Sequence, residues 1–130
     1  MSPTRIQVFA LVAAGGATGS VGRWGLAELL GGPGFAWATF GVNVVGAGLI
    51  GVLFGLTTSA NTHTRLFLGT GVLGGFTTFS TFMADTHVAL SSDQPVRAGL
   101  YLVSTLVVGL GAAAAGLAVG ALRRRREQTR

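Results

Sequence analysis

Residues Gly74 to Phe82 read Gly-Gly-Phe-Thr-Thr-Phe-Ser-Thr-Phe, an unusual string for an apolar chain. Phe79 and Phe82 are three apart, so they share a face if a helix runs through them. A phenyl ring has a negative face and a positive edge. Ring edges can weakly solvate a small anion, and the hydroxyls of Ser80 and Thr81 can donate to it. That set suits an anion that is partly stripped of water and then released. A phenylalanine stripe packed on lipid or a neighbouring helix explains the same spacing equally well. Asn43, flanked by Val42, Val44 and Val45, offers an amide at membrane depth. It could donate to an anion or form an interhelical hydrogen bond. Tyr101, Ser104 and Thr105 could continue a hydroxyl track, or could bond back to their own helix.

These residues need elements to hold them, and the composition says which. The 130 residues fit one domain. The chain is 49% hydrophobic and only 10% charged, with a mean hydropathy of +0.62. A soluble domain carries about 25% charged residues, so the natural solvent here is lipid. No cysteine is present, which removes thiol catalysis, disulfides and thiolate metal sites. No phosphate loop or nucleotide motif occurs, and an enzyme is not expected. His63 and His87 are expected in loops, too far apart for a metal site. The N-terminal Arg5, apolar stretch and Ala13-Ala14-Gly15 faintly resemble a signal peptide, but the whole chain is equally apolar.

A spanning helix needs about 20 mainly apolar residues. The uncharged gaps 6–22, 29–64, 66–84 and 98–122 predict four spans, the first extended by Trp24-Gly25-Leu26-Ala27 and the second placed near 35–57. Gly31-Gly32-Pro33-Gly34 marks a turn. Pro3, Pro33 and Pro95 fall outside the spans. The channel domain is expected over 1–122 and a basic tail over 123–130. Four glycine pairs, at Gly15 and Gly19, Gly51 and Gly55, Gly71 and Gly75, and Gly116 and Gly120, have the spacing that lets helices approach closely. With 22 glycines some pairs arise by chance.

The third span is the poorest by hydropathy. Paired glycines loosen its backbone and paired threonines compete for its hydrogen bonds. A break is expected there. At membrane depth a break must be buried in protein or line an aqueous path, and its freed carbonyls can bind a cation.

Together these residues resemble the Fluc/CrcB family of fluoride channels along nearly the whole chain. Gly15-Gly16-x-x-Gly19-x-x-x-Arg23 is similar to the family's first-helix motif. Gly41-Val42-Asn43-Val44-Val45-Gly46 is similar to its second-helix segment, and Gly74 through Phe82 to its signature. The resemblance implies an all-α antiparallel dimer of four-helix subunits, with the third helix broken at its middle. Two pores would lie at the dimer interface and pass fluoride passively, lowering its cytoplasmic level. By motif position Phe79, Phe82 and Asn43 would line the fluoride path, with Ser80 and Thr81 near it and Thr105 at a family serine position. Arg23 would attract anions at the entrance. A structural sodium ion would be held at the break by the backbone carbonyls of Gly74 and Thr77 from both subunits.

The arginines speak to orientation. Arg5, Arg65, Arg123, Arg124, Arg125, Arg126 and Arg130 fall on one side, Arg23 and Arg97 on the other. This bias places the termini in the cytoplasm of a bacterial plasma membrane. It suggests a fixed orientation and pairing with an oppositely biased paralogue; a homodimer inserted both ways is the alternative. The tail would bind anionic lipid. It lacks the basic face and interleaved aromatics of a nucleic-acid binder. A small multidrug-resistance-type transporter is the second functional reading. It needs an embedded carboxylate, and only Glu28 is a candidate, since Asp85, Asp93 and Glu127 are expected in loops or the tail. A purely structural four-span protein would explain the glycines but neither Asn43 nor the polar third span.

Overall fold

The computed structural model describes residues 4–30, 36–58 and 61–129. The Gly31–Gly34 turn, Pro3, Pro33 and Arg130 lie outside them. Every regular element is helical. Helix α1 is Arg5–Leu30 and α2 is Trp37–Leu56. Helix α3 covers 62–76, a first turn at Thr62–Thr64, a π-helical stretch at Arg65–Leu73 and a last turn at Gly74–Phe76. Thr77 and Thr78 are extended, and the chain resumes as α4, Phe79–Ser91. Helix α5 is Pro95–Gln128.

Three stretches are long and apolar enough to cross a membrane: Trp37–Leu56, Thr62–Ser91 taken across its break, and Pro95–Gln128. Helix α1 is long enough at 26 residues. Arg5 and Arg23 bracket its apolar part, however, and make it less apolar than the others.

Glycine fixes which helices pair. A Cβ at Gly15 would run into the Phe67 carbonyl and Gly71 of α3, and one at Gly75 into the Gly16 backbone. A Cβ at Gly51 would meet the Ala113 carbonyl of α5, and one at Gly116 the Gly48 carbonyl of α2. The four expected glycine pairs therefore join two by two: α1 lies backbone-to-backbone on α3, and α2 on α5.

Three expectations change. His63 sits in the first turn of α3 and His87 inside α4, not in loops. Asp85 is also helical, because α4 runs on through it to Ser91. There it accepts a hydrogen bond from the Tyr101 hydroxyl at 3.3 Å. Pro95 opens α5 rather than lying in the connection, as suits a residue with no N–H to leave unpaired in a first turn. The arginines 123–126 continue the same helix.

Candidate functional site

The break in the third span is gripped by two neighbouring helices, α1 and α2. Asn43 of α2 reaches it with both ends of its amide. Its Nδ2 donates to the Thr78 carbonyl at 3.0 Å, and the Thr78 N–H donates to its Oδ1 at 2.9 Å. The Thr78 N–H can only donate, so the amide orientation is fixed by its partners. One of the two Nδ2 hydrogens remains for another acceptor. Gly46, one turn along α2, has no side chain, and the Thr77 methyl fills the place a Cβ would take. From α1, the Ser20 hydroxyl donates to the Gly75 carbonyl at 3.4 Å.

The two helix ends at the break are finished differently. The last carbonyls of a helix lack partners within it. Thr77 answers one of them by turning both its N–H (3.0 Å) and its hydroxyl (2.9 Å) onto the Leu73 carbonyl. Among the described residues no side chain donates to the Gly74 carbonyl. On the far side, Thr78 caps α4. Its Oγ1 accepts from the Thr81 N–H at 3.2 Å, lies 3.0 Å from Thr81 Oγ1 and 3.3 Å from Ser80 Oγ. The break thus sets the carbonyl end of α3 beside the N–H end of α4, one dipole end favouring cations and the other anions.

Phe79 and Phe82 do share a face, with ring centroids 6.1 Å apart and planes at 54°. Their surroundings differ sharply. Phe82 is 4% exposed and rests on Tyr101, centroids 5.2 Å apart, whereas Phe79 is 75% exposed in the single chain. Both rings edge a groove of about 440 Å³ that also takes in Asn43, Gly74, Thr77 and Thr105. Thr105 is buried, and its hydroxyl donates back to the Tyr101 carbonyl at 2.7 Å. Ser104 bonds back to the same carbonyl at 3.3 Å.

A second groove, of about 260 Å³, opens on the other side of Thr78 between α1 and α2. Arg23, Ser20, Thr39 and Thr81 line it. A third, of about 140 Å³, holds Asp85, Arg97, Gln94 and Tyr101 beyond Phe82. Of the expected residues, Asn43, Phe79, Phe82, Thr105, Gly74 and Thr77 come together in one groove. Arg23 and Thr81 meet in the next, and Ser80 joins them only through the Thr78 hydroxyl.

Thr78 is not among the residues that the sequence singles out, although it lines the first two of these grooves and anchors the break. A Thr three residues ahead of Thr81 is a weak capping signal. Its partner Asn43 lies 35 residues away, with no local pattern to announce it. Gly46, Ser20 and the Asp85–Tyr101 contact were equally invisible, being long-range.

The comparisons agree with this architecture. Residues 10–117 match the family described as CrcB-like protein, Camphor Resistance (CrcB). The chain is 46% identical over 119 residues to the fluoride-specific ion channel FluC of Agrobacterium fabrum, covering 85% of this chain and 94% of that one. It is 45% identical over 114 residues to the same-named protein of Sphingopyxis alaskensis, with 82% and 89% covered. It is 44% identical over 127 residues to FluC 1 of Streptomyces coelicolor, with 93% and 80% covered. With the break and the grooves around it inside the matched region, the chain belongs to the CrcB-like family.

Proposed function

We propose that this chain forms a passive, fluoride-selective channel in the bacterial plasma membrane, exporting fluoride and so lowering its toxicity. The observation that carries the reading is the break itself. Asn43 and Thr78 hold the chain open where Phe79, Phe82 and Thr105 edge one groove and Arg23 and Thr81 line the next. Ring edges, hydroxyls and the first-turn amides of α4 are weak donors, with the one charged donor, Arg23, set apart in the next groove, which suits an ion that must leave as readily as it enters. The names of the relatives agree with that ion.

The working unit is an antiparallel dimer of four-span subunits, with α1 as the fourth span. The exposed Phe79 and the open groove beside it support a second subunit there. A structural sodium ion fits the break by donor chemistry. Gly74 and Thr77 both line the groove and offer main-chain oxygens. No cluster of histidine or carboxylate ligands exists among the described residues to favour another metal. The ion supplies a positive anchor between subunits. The arginine-rich end supports a fixed orientation and a paralogous partner; C-terminal tags labelled from both sides of intact cells would point to the homodimer instead.

The proton-coupled transporter reading rests on Glu28, which is exposed at the end of α1. Efflux from liposomes tests the proposal. Fluoride should leave without a proton gradient and far faster than chloride. Equal rates for the two ions would refute selectivity, and flux that needs a proton gradient would favour the transporter.

A further inference from the structure

At the end of the bundle opposite Asp85, α2 finishes, α3 begins and α5 passes. Thr57 closes α2, its N–H and hydroxyl both turned onto the Leu53 carbonyl at 3.0 and 2.6 Å. Two arginines from distant parts of the chain converge on it. Arg65 donates from Nε to the Thr57 hydroxyl at 2.9 Å and from Nη2 to the Thr57 carbonyl at 2.7 Å. Its guanidinium also stands 4.6 Å over the Phe54 ring. Arg124 donates from Nη1 to the same carbonyl at 3.3 Å.

Two donors on one oxygen can be no more than about 6 Å apart, so the two cations repel each other. A helix C-terminus attracts them, but one carbonyl does not neutralise two charges. Residues 56–66 contain no acid, and among the described residues Glu127 is the one acidic side chain at this end, against Arg5, Arg65 and Arg123 through Arg126. The Nη1 of Arg65 carries two further donors. Packing against Thr57 and Phe54 has already ordered the side chains, so little freedom is lost when an anion joins them. Planar forks of this kind match phosphate oxygens in pairs.

We propose that Arg65 and Arg124 form a seat for the phosphate of an anionic phospholipid, a site for which the rest of the arginine run is only the surrounding field. The seat lies at a membrane-facing helix end, and the exposed Phe54, Leu56 and Leu122 near it suit acyl chain rather than water. The matched family region ends at 117, before Arg124, so half of the seat belongs to a segment outside it. The inference rests on the chain spanning a membrane and not on which ion it carries.

The test is native mass spectrometry of the full-length protein extracted from vesicles of equal phosphatidylglycerol and phosphatidylcholine. Wild type should retain phosphatidylglycerol at least about fivefold over phosphatidylcholine, the size expected of one basic residue at a charged surface. The double variant Arg65→Gln/Arg124→Gln should lose that preference. Arg125→Gln/Arg126→Gln, which removes the same charge, should keep most of it. The pair Arg65→Lys/Arg124→Lys keeps the charge and loses the forks; it should lose most of the preference too, and it serves if the glutamine pair does not fold. Equal loss in the two glutamine pairs would mean a diffuse field and overturn the seat, as would full preference in the lysine pair. Millimolar inorganic phosphate raising thermal stability as much as phosphatidylglycerol would overturn the lipid assignment.

Discussion

The two sides of the break are built from the same short run of sequence and do opposite work. Before it, α3 has given its side chains away: Gly71 and Gly75 lie bare against α1, and the winding is loose enough to be π-helical. After it, α4 is regularly wound, capped by Thr78, and presents one buried ring and one exposed ring. The first side is tight against α1 at Gly71 and Gly75 and meets the groove through Gly69, Leu73 and Gly74. The second has room and edges the grooves of the proposed ion path. The difference separates what holds the subunit together from what an ion would meet.

The largest expected effect follows from the tight side. Gly75→Leu must push α1 and α3 apart where a single Cβ already meets the Gly16 backbone. Overpacking costs about 3 kcal/mol at such a site, and the variant should fail to yield folded protein. Gly109→Ala, with nothing within 4 Å of the added Cβ, should keep or slightly raise thermal stability, because alanine is the better helix former. If both behave alike, tight packing does not distinguish the two positions.

Asn43→Ala comes next, because it orphans both the N–H and the carbonyl of Thr78. A buried unpaired group costs roughly 1–3 kcal/mol. Stability and flux should therefore fall together, in thermal unfolding and liposome efflux. Asn43→Asp keeps the acceptor for the Thr78 N–H, loses the donor and adds a negative charge. It should unfold later than the alanine variant yet conduct no better.

The rings divide along the same line. Phe82→Ile removes a ring packed on Tyr101 and should cost about 1 kcal/mol as well as flux. Phe79→Ile alters a ring exposed in the single chain and should cost the subunit fold less than about 0.5 kcal/mol, any further loss falling on the contact with the proposed second subunit. Smallest in flux is the cap. Thr78→Ser keeps the hydroxyl and should behave as wild type, whereas Thr78→Ala should lose about 1 kcal/mol of stability.

Much of this was legible in the sequence because it is local. Scarce charge gave the membrane, the gaps between charges gave the helices, with the third and fourth spans running about six or seven residues past their expected ends, and paired glycine and threonine at 74–78 gave the break. The glycine pairs were visible as spacing, but which helix meets which is decided by surfaces that only the fold brings together. The same limit hid Asn43 on Thr78, Ser20 on Gly75 and Asp85 on Tyr101, each a contact across many residues. The histidines and Asp85 were misplaced for a simpler reason. Polar residues near a span's end read as loop, yet α3 takes His63 into its first turn and α4 runs unbroken through Asp85 and His87. The π-helical stretch had no sequence signal beyond glycine content.

The central claim is that the open side of the break is the ion's path. It is tested most directly by fluoride efflux from liposomes containing the Phe79→Ile variant, whose ring is exposed in the single chain, so that the subunit's own fold does not rest on it. Flux should collapse while the purified variant keeps the wild-type helical content. Full fluoride flux in that variant, repeated in Phe82→Ile, would contradict the account.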